Sequence, residues 1–493
     1  MKRHLAVAVG LISAGLVIGG GSPALAATSA ASAGLAPVVA SPAPGWGTAQ
    51  PVPGTSAASG AGLQGVSCVA GGACTAIGDY GSNTAADAIP FAITGKNGVW
   101  GAKQQLPGLA AFAPGGTQAH ALDCPATGDC VIVGSYESGT AGSGSGAYAQ
   151  EEIKGTWGTP VAIPGTSALD GGTGYTQPTN VTCASPGNCL LAGLYSSSGG
   201  FVQNVFIAQE TGYQWSAATV PPGLAALNVE DYSGITGVSC PAAGDCVLVG
   251  SYAVETPEDA LASRPFAAVE SDGTWQPATE IQLPALSADG SATAYALSCP
   301  ALGKCVLAGS YQQEDTVSPV TGFVVTQTAA GWSAPVTFPG AAIHAISCPS
   351  AGNCGATADD DNDVAEVVSE VHGTWGRESA LPGVAALTYQ GESAAYSYPF
   401  YLVCPSAGNC TAAGTYSPSE SAATTYQNVF VASEVAGTWL PARVPAGLSA
   451  LNTAGYASIA GLGCTATANC VVGGNYEISA ADQGAFLVAE VPR

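Results

Sequence analysis

Residues 121–165 read ALDCPATGDCVIVGSYESGTAGSGSGAYAQEEIKGTWGTPVAIPG, and this stretch decides the fold. A first short run ends at Cys124. Pro125–Asp129 is a tight turn rich in Pro and Gly. Cys130 opens a second run, VIVGSY, which ends at Tyr136. A Gly/Ser loop leads into a third, AYAQEEIK, which ends at Lys154. Gly155 and Thr156 turn the chain, and Trp157 begins a fourth run that stops at Pro164 and Gly165. Four short strands joined by turns make one meander.

The same grammar recurs eight times. The cysteines fall into pairs with five residues between them: Cys68/Cys74, Cys124/Cys130, Cys183/Cys189, Cys240/Cys246, Cys299/Cys305, Cys348/Cys354, Cys404/Cys410 and Cys464/Cys470. These are all sixteen cysteines, and the pairs recur every 49 to 60 residues. A period of this size marks a repeat architecture. Third strands are expected at 90–96, 204–210, 265–271, 322–328, 428–434 and 485–491. Fourth strands are expected from Trp100, Trp157, Trp215, Trp275, Trp332, Trp375 and Trp439.

The eighth tryptophan, Trp46, precedes the first cysteine pair, in GWGTAQPVPG (45–54). The last copy reaches its third strand at 485–491 and has no fourth after it. A circular array explains both facts: residues 45–54 complete the last blade. An open solenoid would leave strand edges exposed. The expected fold is therefore all-β, an eight-bladed β-propeller of four-stranded blades over 45–493, closed by its N-terminal strand, with one disulfide per blade.

Residues 1–26 read as a secretory signal: Lys2, Arg3 and His4, an apolar run from Leu5 to Ile18, and a small-x-small site at Ala24–Ala26. Residues 27–44 are an Ala/Ser/Pro-rich linker. An exported chain with an even, regularly spaced cysteine set is read as disulfide-bonded. Zinc is the rival reading, but its ligands sit closer together and usually include histidine, of which the chain has four. Each bridge closes a seven-residue loop, which the chain-entropy description values at about 2.4 kcal/mol.

The net charge is −24, from 34 acids against 10 Lys and Arg. Phosphate recognition needs clustered cations, so nucleic acid is not an expected partner. No later segment is apolar enough for membrane insertion. With 67 glycines and only 9% charged residues, long helices are not expected. The protein is expected to be secreted, extracellular and monomeric.

Connectivity sorts the loops between two faces. Disulfide turns and tryptophan turns share one face and are uniform. The loops between strands 2 and 3, and between blades, share the other and vary: 166–179, 224–236, 253–264, 312–321 and 384–399. Loops on a rigid scaffold carry function, so the variable face is the expected binding face. Its tyrosines are Tyr175, Tyr232, Tyr295, Tyr389, Tyr396 and Tyr398, and Tyr175, Tyr232, Tyr295 and Tyr389 are the named ligand-binding candidates. The periodic Tyr and Trp of the repeat are expected to pack between blades. His120 and His344 each lie four residues before a first cysteine, four blades apart, and read as local hydrogen-bonding residues. In the sixth copy Asp359, Asp361 and Asp363 alternate in DDDND; this is a candidate calcium site or a solvated acidic loop. No other cofactor is expected.

The turn SDGTW (271–275) resembles a degenerate Asp-box, the motif between third and fourth strands of sialidase-like propellers. The VLVGSY strand followed by Trp is similar to kelch blades. The whole C-P-x-x-G-x-C-x-x-x-G-x-Y repeat resembles a family of secreted actinobacterial propeller proteins. The resemblance covers 45–493 and implies the fold, not an activity. Sialidases bind their substrate carboxylate with three arginines. Here Arg264, Arg377, Arg443 and Arg493 do not supply a converging trio, nor do the histidines supply a kelch-type copper site. The expected function is a non-enzymatic binding module for an extracellular glycan or protein. The alternatives are a glycoside hydrolase or lyase working through carboxylates, and a surface-coat role.

Overall fold

The computed structural model describes residues 45–55, 60–81, 88–137, 145–172, 174–197, 202–257, 260–313, 319–388, 396–417, 427–466, 469–479 and 482–490. The expected signal and linker segments lie outside these residues. The chain forms eight antiparallel sheets, one per repeat, each ordered from first strand to fourth. The eight first strands touch one another in ring order, the last meeting the first. This is the eight-bladed propeller, with first strands around the central channel. Blades are numbered 1 to 8 from Cys68 to Cys464.

Closure follows the expected route. Gln50 pairs with Leu487 and Pro51 with Phe486, and Trp46 bridges to Glu490. The N-terminal segment is the outer strand of blade 8. The Trp46 indole also donates to Ser433 Oγ of blade 7 at 3.2 Å.

All eight cysteine pairs are bonded within their own blade, between strands one and two: Cys68–Cys74, Cys124–Cys130, Cys183–Cys189, Cys240–Cys246, Cys299–Cys305, Cys348–Cys354, Cys404–Cys410 and Cys464–Cys470. Their setting corrects the expectation that each pair marks the two ends of a turn. In blade 2 the ladder continues past Cys124 to Ala126, which pairs with Asp129. Cys74, Cys130, Cys354 and Cys410 accordingly lie one residue inside strand two, whereas Cys305 stands just before Val306–Gln312. The second cysteine of every pair is buried, and Cys305 and Cys470 are wholly so. Cys74 packs with Phe91 and Ile93, Cys305 with Leu307 and Phe323, Cys354 with Val368, and Cys410 with Leu402. A disulfide sulfur is an apolar atom, so these residues are core as well as staple and offer no surface for a ligand.

The hydrophobic clusters lie mostly between blades. One joins Leu190, Ala192 and Ile207 of blade 3 to Leu248, Phe266 and Ala268 of blade 4; the next joins Val247 and Val249 of blade 4 to Leu307 and Phe323 of blade 5. The repeat tryptophans pack at these seams: Trp157, Trp215, Trp275 and Trp332 each join a different cluster.

The Gly-x-Tyr triplet of strand two has a steric cause. Gly414 pairs with Phe430 across the sheet, and a Cβ there would stand 2.3 Å from Tyr398 O and 2.5 Å from the Phe430 ring. Blade 6 carries Ala358 instead, and its cross-strand partner is Glu366, not an aromatic residue. The third-strand rings so accommodated, among them Phe91, Tyr148, Phe206 and Phe323, are fully buried. Each contributes about 2–3 kcal/mol of apolar burial.

Two further details differ from the sequence expectation. Where described, the fourth strand is interrupted: in blade 2 it is Thr156–Trp157 and then Val161–Ala162, with a one-residue register slip between the two that recurs in blades 1 and 6. Among the described residues, short helical turns also appear where none were expected, at Leu109–Phe112, Thr166–Leu169, Leu224–Leu227, Val384–Ala386 and Leu448–Leu451. Each follows a left-handed glycine and buries its first residue. Among the described residues no helix is long and apolar enough to cross a membrane.

Candidate functional site at the loop-face mouth of the channel

Every first strand breaks its pairing at the same place. Register slips between Leu63 and Gly65, Ala119 and Ala121, Pro178 and Asn180, and Ile235 and Gly237. It slips again between Ala294 and Ala296, Ile343 and Ala345, Tyr398 and Tyr401, and Ile459 and Gly461. The residue set free is always four before the first cysteine: Gln64, His120, Thr179, Thr236, Tyr295, His344, Phe400 and Ala460. A bulge re-aims its side chain. This ring on the channel-bordering strands is half-buried, with Gln64 exposed. Its chemistry changes from blade to blade while the residues around it repeat. Sequence reasoning singled out the two histidines and Tyr295 of this ring; aligning all eight copies on the cysteine would have exposed the rest.

The two histidines each take a partner from strand two of their own blade. His120 Nε2 lies 2.7 Å from Ser135 Oγ, and burial pushes its pKa down to about 4, so the ring is neutral at physiological pH. His344 Nε2 is bonded to the Asp359 carboxylate. Both are the local hydrogen-bonding residues expected. Elsewhere the matching strand-two group ties to the next blade. Asp79 Oδ1 accepts from Ala119 N at 3.2 Å, Asn475 Oδ1 from Leu63 N at 2.7 Å and Ser310 Oγ from Ile343 N at 2.9 Å. Burial pushes the Asp79 carboxyl up to about 7.

In blades 5 to 7 the bulged residues extend into a continuous run of rings. Tyr295 and His344 have centroids 6.3 Å apart. His344 meets Phe400 edge-on at 5.4 Å and Tyr398 at 6.0 Å. Tyr398 contacts Phe400 at 5.7 Å and stacks on Tyr396 at 5.0 Å with 18° between planes. These are the offset and edge geometries that aromatic quadrupoles favour. Polar groups edge the run. The Tyr398 hydroxyl donates to Asp363 Oδ1 at 2.9 Å and the Tyr396 hydroxyl to Gln427 Oε1 at 3.0 Å. Burial first, and then the Asp363 hydrogen bond, push the Tyr398 phenol up, so it remains a donor.

The named candidates fall into three groups. Tyr175 opens the first strand of blade 3 and Tyr232 immediately precedes that of blade 4; both are half-buried on the variable face. Tyr295 is not a loop residue: it stands inside the first strand of blade 5 (Ser291–Ser298), at the bulge. Tyr389 lies outside the described residues.

The expected calcium ligands are not gathered. Asp359 is buried against His344. Asp360 Oδ1 caps the turn, accepting from Asn362 N and Val364 N. Asp363 serves Tyr398. The strand ends at Asp360, so the alternation that would have put Asp359, Asp361 and Asp363 on one side stops before it starts. Among the described residues no group of three or more His, Cys, Asp or Glu is placed to hold a metal ion.

The Arg264 guanidinium is tied to the backbone carbonyls of Ser263 and Ala288, while the backbone of Arg443 bridges to Val431 in blade 7.

The disulfide face holds groups that sequence reasoning passed over. Glu152, Glu210, Glu270, Glu370 and Glu434 end third strands opposite the repeat tryptophans, and all are buried. Between blades 3 and 4 a cavity of about 130 Å³ is lined by Gln209, Glu210, Gly244 and Glu270. Burial, followed by the adjacent Glu151, pushes Glu210 up to about 8. The feature recurs around the ring, which makes it part of the scaffold's seams.

No protein-family model matches the chain, and no curated protein matches it. Solved structures are similar at low identity. An α-L-arabinanase of Penicillium chrysogenum, complexed with arabinobiose, is 10% identical over 67% of this chain and 99% of its own, with a TM-score of 0.38. A protein of unknown function from Dyadobacter fermentans is 11% identical over 91% of this chain and 100% of its own, at 0.39. The Aleuria aurantia lectin, complexed with a fucosyl-GlcNAc disaccharide, is 10% identical over 65% and 92%, at 0.34.

Proposed function

We propose that this protein is a secreted, non-enzymatic module that binds a glycan through the loop face of its propeller. One observation carries the reading: the unbroken run of rings from Tyr295 through His344, Phe400 and Tyr398 to Tyr396, edged by Asp363 and Gln427. Flat apolar faces beside a few fixed polar groups suit a sugar, whose ring carbons stack while its hydroxyls hydrogen-bond. The eight disulfides fit a protein that works outside the reducing cytosol. The net charge of −24 favours neutral over anionic glycans.

A glycan array probed with the full mature chain tests the reading. Retention of intact neutral glycans is the expected result, weakened by Tyr398→Ala with Phe400→Ala while the melting temperature holds. Release of cleaved product would favour the carboxylate-based hydrolase or lyase. Retention unaffected by these two changes would place the site elsewhere.

A further inference from the structure

One polar arrangement occurs twice, half a turn of the ring apart. At the seam of blades 3 and 4 the Tyr175 hydroxyl donates to Gln203 Oε1 at 3.2 Å, and Gln203 Nε2 donates to Ser233 O at 3.4 Å. At the seam of blades 7 and 8 the Tyr396 hydroxyl donates to Gln427 Oε1 at 3.0 Å, and Gln427 Nε2 donates to Ala457 O at 2.9 Å. Each glutamine lies in a parallel bridge to a second tyrosine, Gln203 to Tyr232 and Gln427 to Tyr456. Behind each, an asparagine pair repeats: Asn228 Nδ2 to Asn204 Oδ1 at 2.7 Å, and Asn452 Nδ2 to Asn428 Oδ1 at 2.9 Å.

The tyrosines occupy one repeat position, eight residues before the first cysteine. The other four blades carry Gly60, Gly116, Ser291 and Gly340 there. Seam formation does not demand the arrangement, since those seams close without it. All four tyrosines and both glutamines are half-buried on the loop face. In each arrangement the amide has spent one N–H and one lone pair, leaving one of each. A donor and an acceptor side by side next to one phenol, on a residue whose backbone bridges to a second tyrosine, match the adjacent hydroxyls of a sugar ring.

We propose that these two Tyr–Gln–Tyr clasps are separate sites for neutral glycan, so that one molecule holds two chain segments at opposite sides of the same face and cross-links polysaccharide. The proposal rests on the glycan-binding reading and adds valency to it. The sites are unequal. The Tyr396 clasp continues into the rings of Tyr398 and Phe400, whereas the same offsets beyond Tyr175 hold Gln177 and Thr179.

The test uses the full mature chain against dextran, galactomannan, xyloglucan and arabinan by affinity gel electrophoresis. A retained polymer is then followed by turbidity and by calorimetry with its hexasaccharide. Two sites per molecule and polymer precipitation are expected. Tyr232→Ala or Tyr456→Ala should each leave one site and abolish precipitation while retention persists, and the double variant should lose retention. Gln203→Ala and Gln427→Ala, which leave the rings in place, should give the same counts. One site in the unmodified protein, or loss of all binding from a single clasp change, overturns the bivalency alone. Retention of none of the four polymers overturns the bivalency together with the neutral-glycan reading.

Discussion

Blades 1–4 and blades 5–8 are two halves built to one plan and finished differently. Both carry a bulged histidine in their second blade and a Tyr–Gln–Tyr clasp at their last seam. The bulge ring then departs: Gln64, His120, Thr179 and Thr236 in one half, Tyr295, His344, Phe400 and Ala460 in the other. His120 meets a serine and His344 a carboxylate. The shared parts recur at equivalent positions half a turn apart. The parts that differ are side chains at a position released from pairing, where substitution leaves the ladder intact. The second half holds most of the ring's aromatic character.

The most damaging way to break the comparison is to remove the strand that joins the halves. Deleting 45–54 strips the outer strand of blade 8 and the Trp46–Ser433 bond. The melting temperature should fall by several degrees, on the scale of several kcal/mol, with aggregation through the exposed edge. An unchanged melt would show that closure contributes nothing.

Acidity should separate the halves next. Asp79, near 7, and Glu210, near 8, belong to the first half. Their folded values are raised above the unfolded ones of roughly 3.9 and 4.3. Their contribution is therefore complete below about pH 4 and is lost as pH rises through 7 to 8. Calorimetry should show a melting temperature several degrees lower at pH 8.5 than at pH 5. Asp79→Asn with Glu210→Gln should flatten that slope, and hydrogen exchange should place the loosening in blades 1–3. A melting temperature that climbs with pH across this window would contradict the assignment.

Exchanging ring chemistry sharpens the contrast directly. Tyr398→Gln with Phe400→Thr gives blade 7 the residues of blade 3. The stronger of the two glycan sites should weaken about tenfold, toward the other, equivalent to about 1.4 kcal/mol. The reverse pair, Gln177→Tyr with Thr179→Phe, should strengthen the first-half site. Calorimetric Kd values that ignore both exchanges would remove the rings from the binding account. The smallest effect is spectroscopic: the His120 ring, held near 4, should show no titration by NMR between pH 5.5 and 8. A midpoint inside that range would mean that its burial is relieved in solution.

How far the sequence could be read follows from where each signal lives. Cys68 to Cys470, the tryptophan turns and the stray Trp46 are local and periodic, and they specify blades, bridges and closure. That Cys74, Cys305, Cys354 and Cys410 also fill the core was not legible, because spacing names a partner and not the neighbours across a seam. Tyr175 and Tyr232 were visible as non-repeating aromatics. The clasps were not, because Gln203 meets Tyr175 only when its own blade folds and bridges to Tyr232 only once the next blade docks. The bulges were invisible for a related reason: His120 and Tyr295 look like ordinary strand residues until the pairing on either side is known. Asp361 and Asp363 misled because alternation presumes a strand, and the chain turns at Asp360.

The bond from the Trp46 indole to Ser433 spans 387 residues. Each meander draws its strands from one repeat and packs on the next repeat in sequence, so seven blades can form from near neighbours along the chain. The last cannot. It waits for the two extremes of the ring to find each other, and such non-local contacts are slow to form. The time course of folding should therefore have two clocks, a fast one for the blades and a slow one for the latch. During the interval the strand at Asp482–Ala489 lacks its outer neighbour and is open to another molecule's edge.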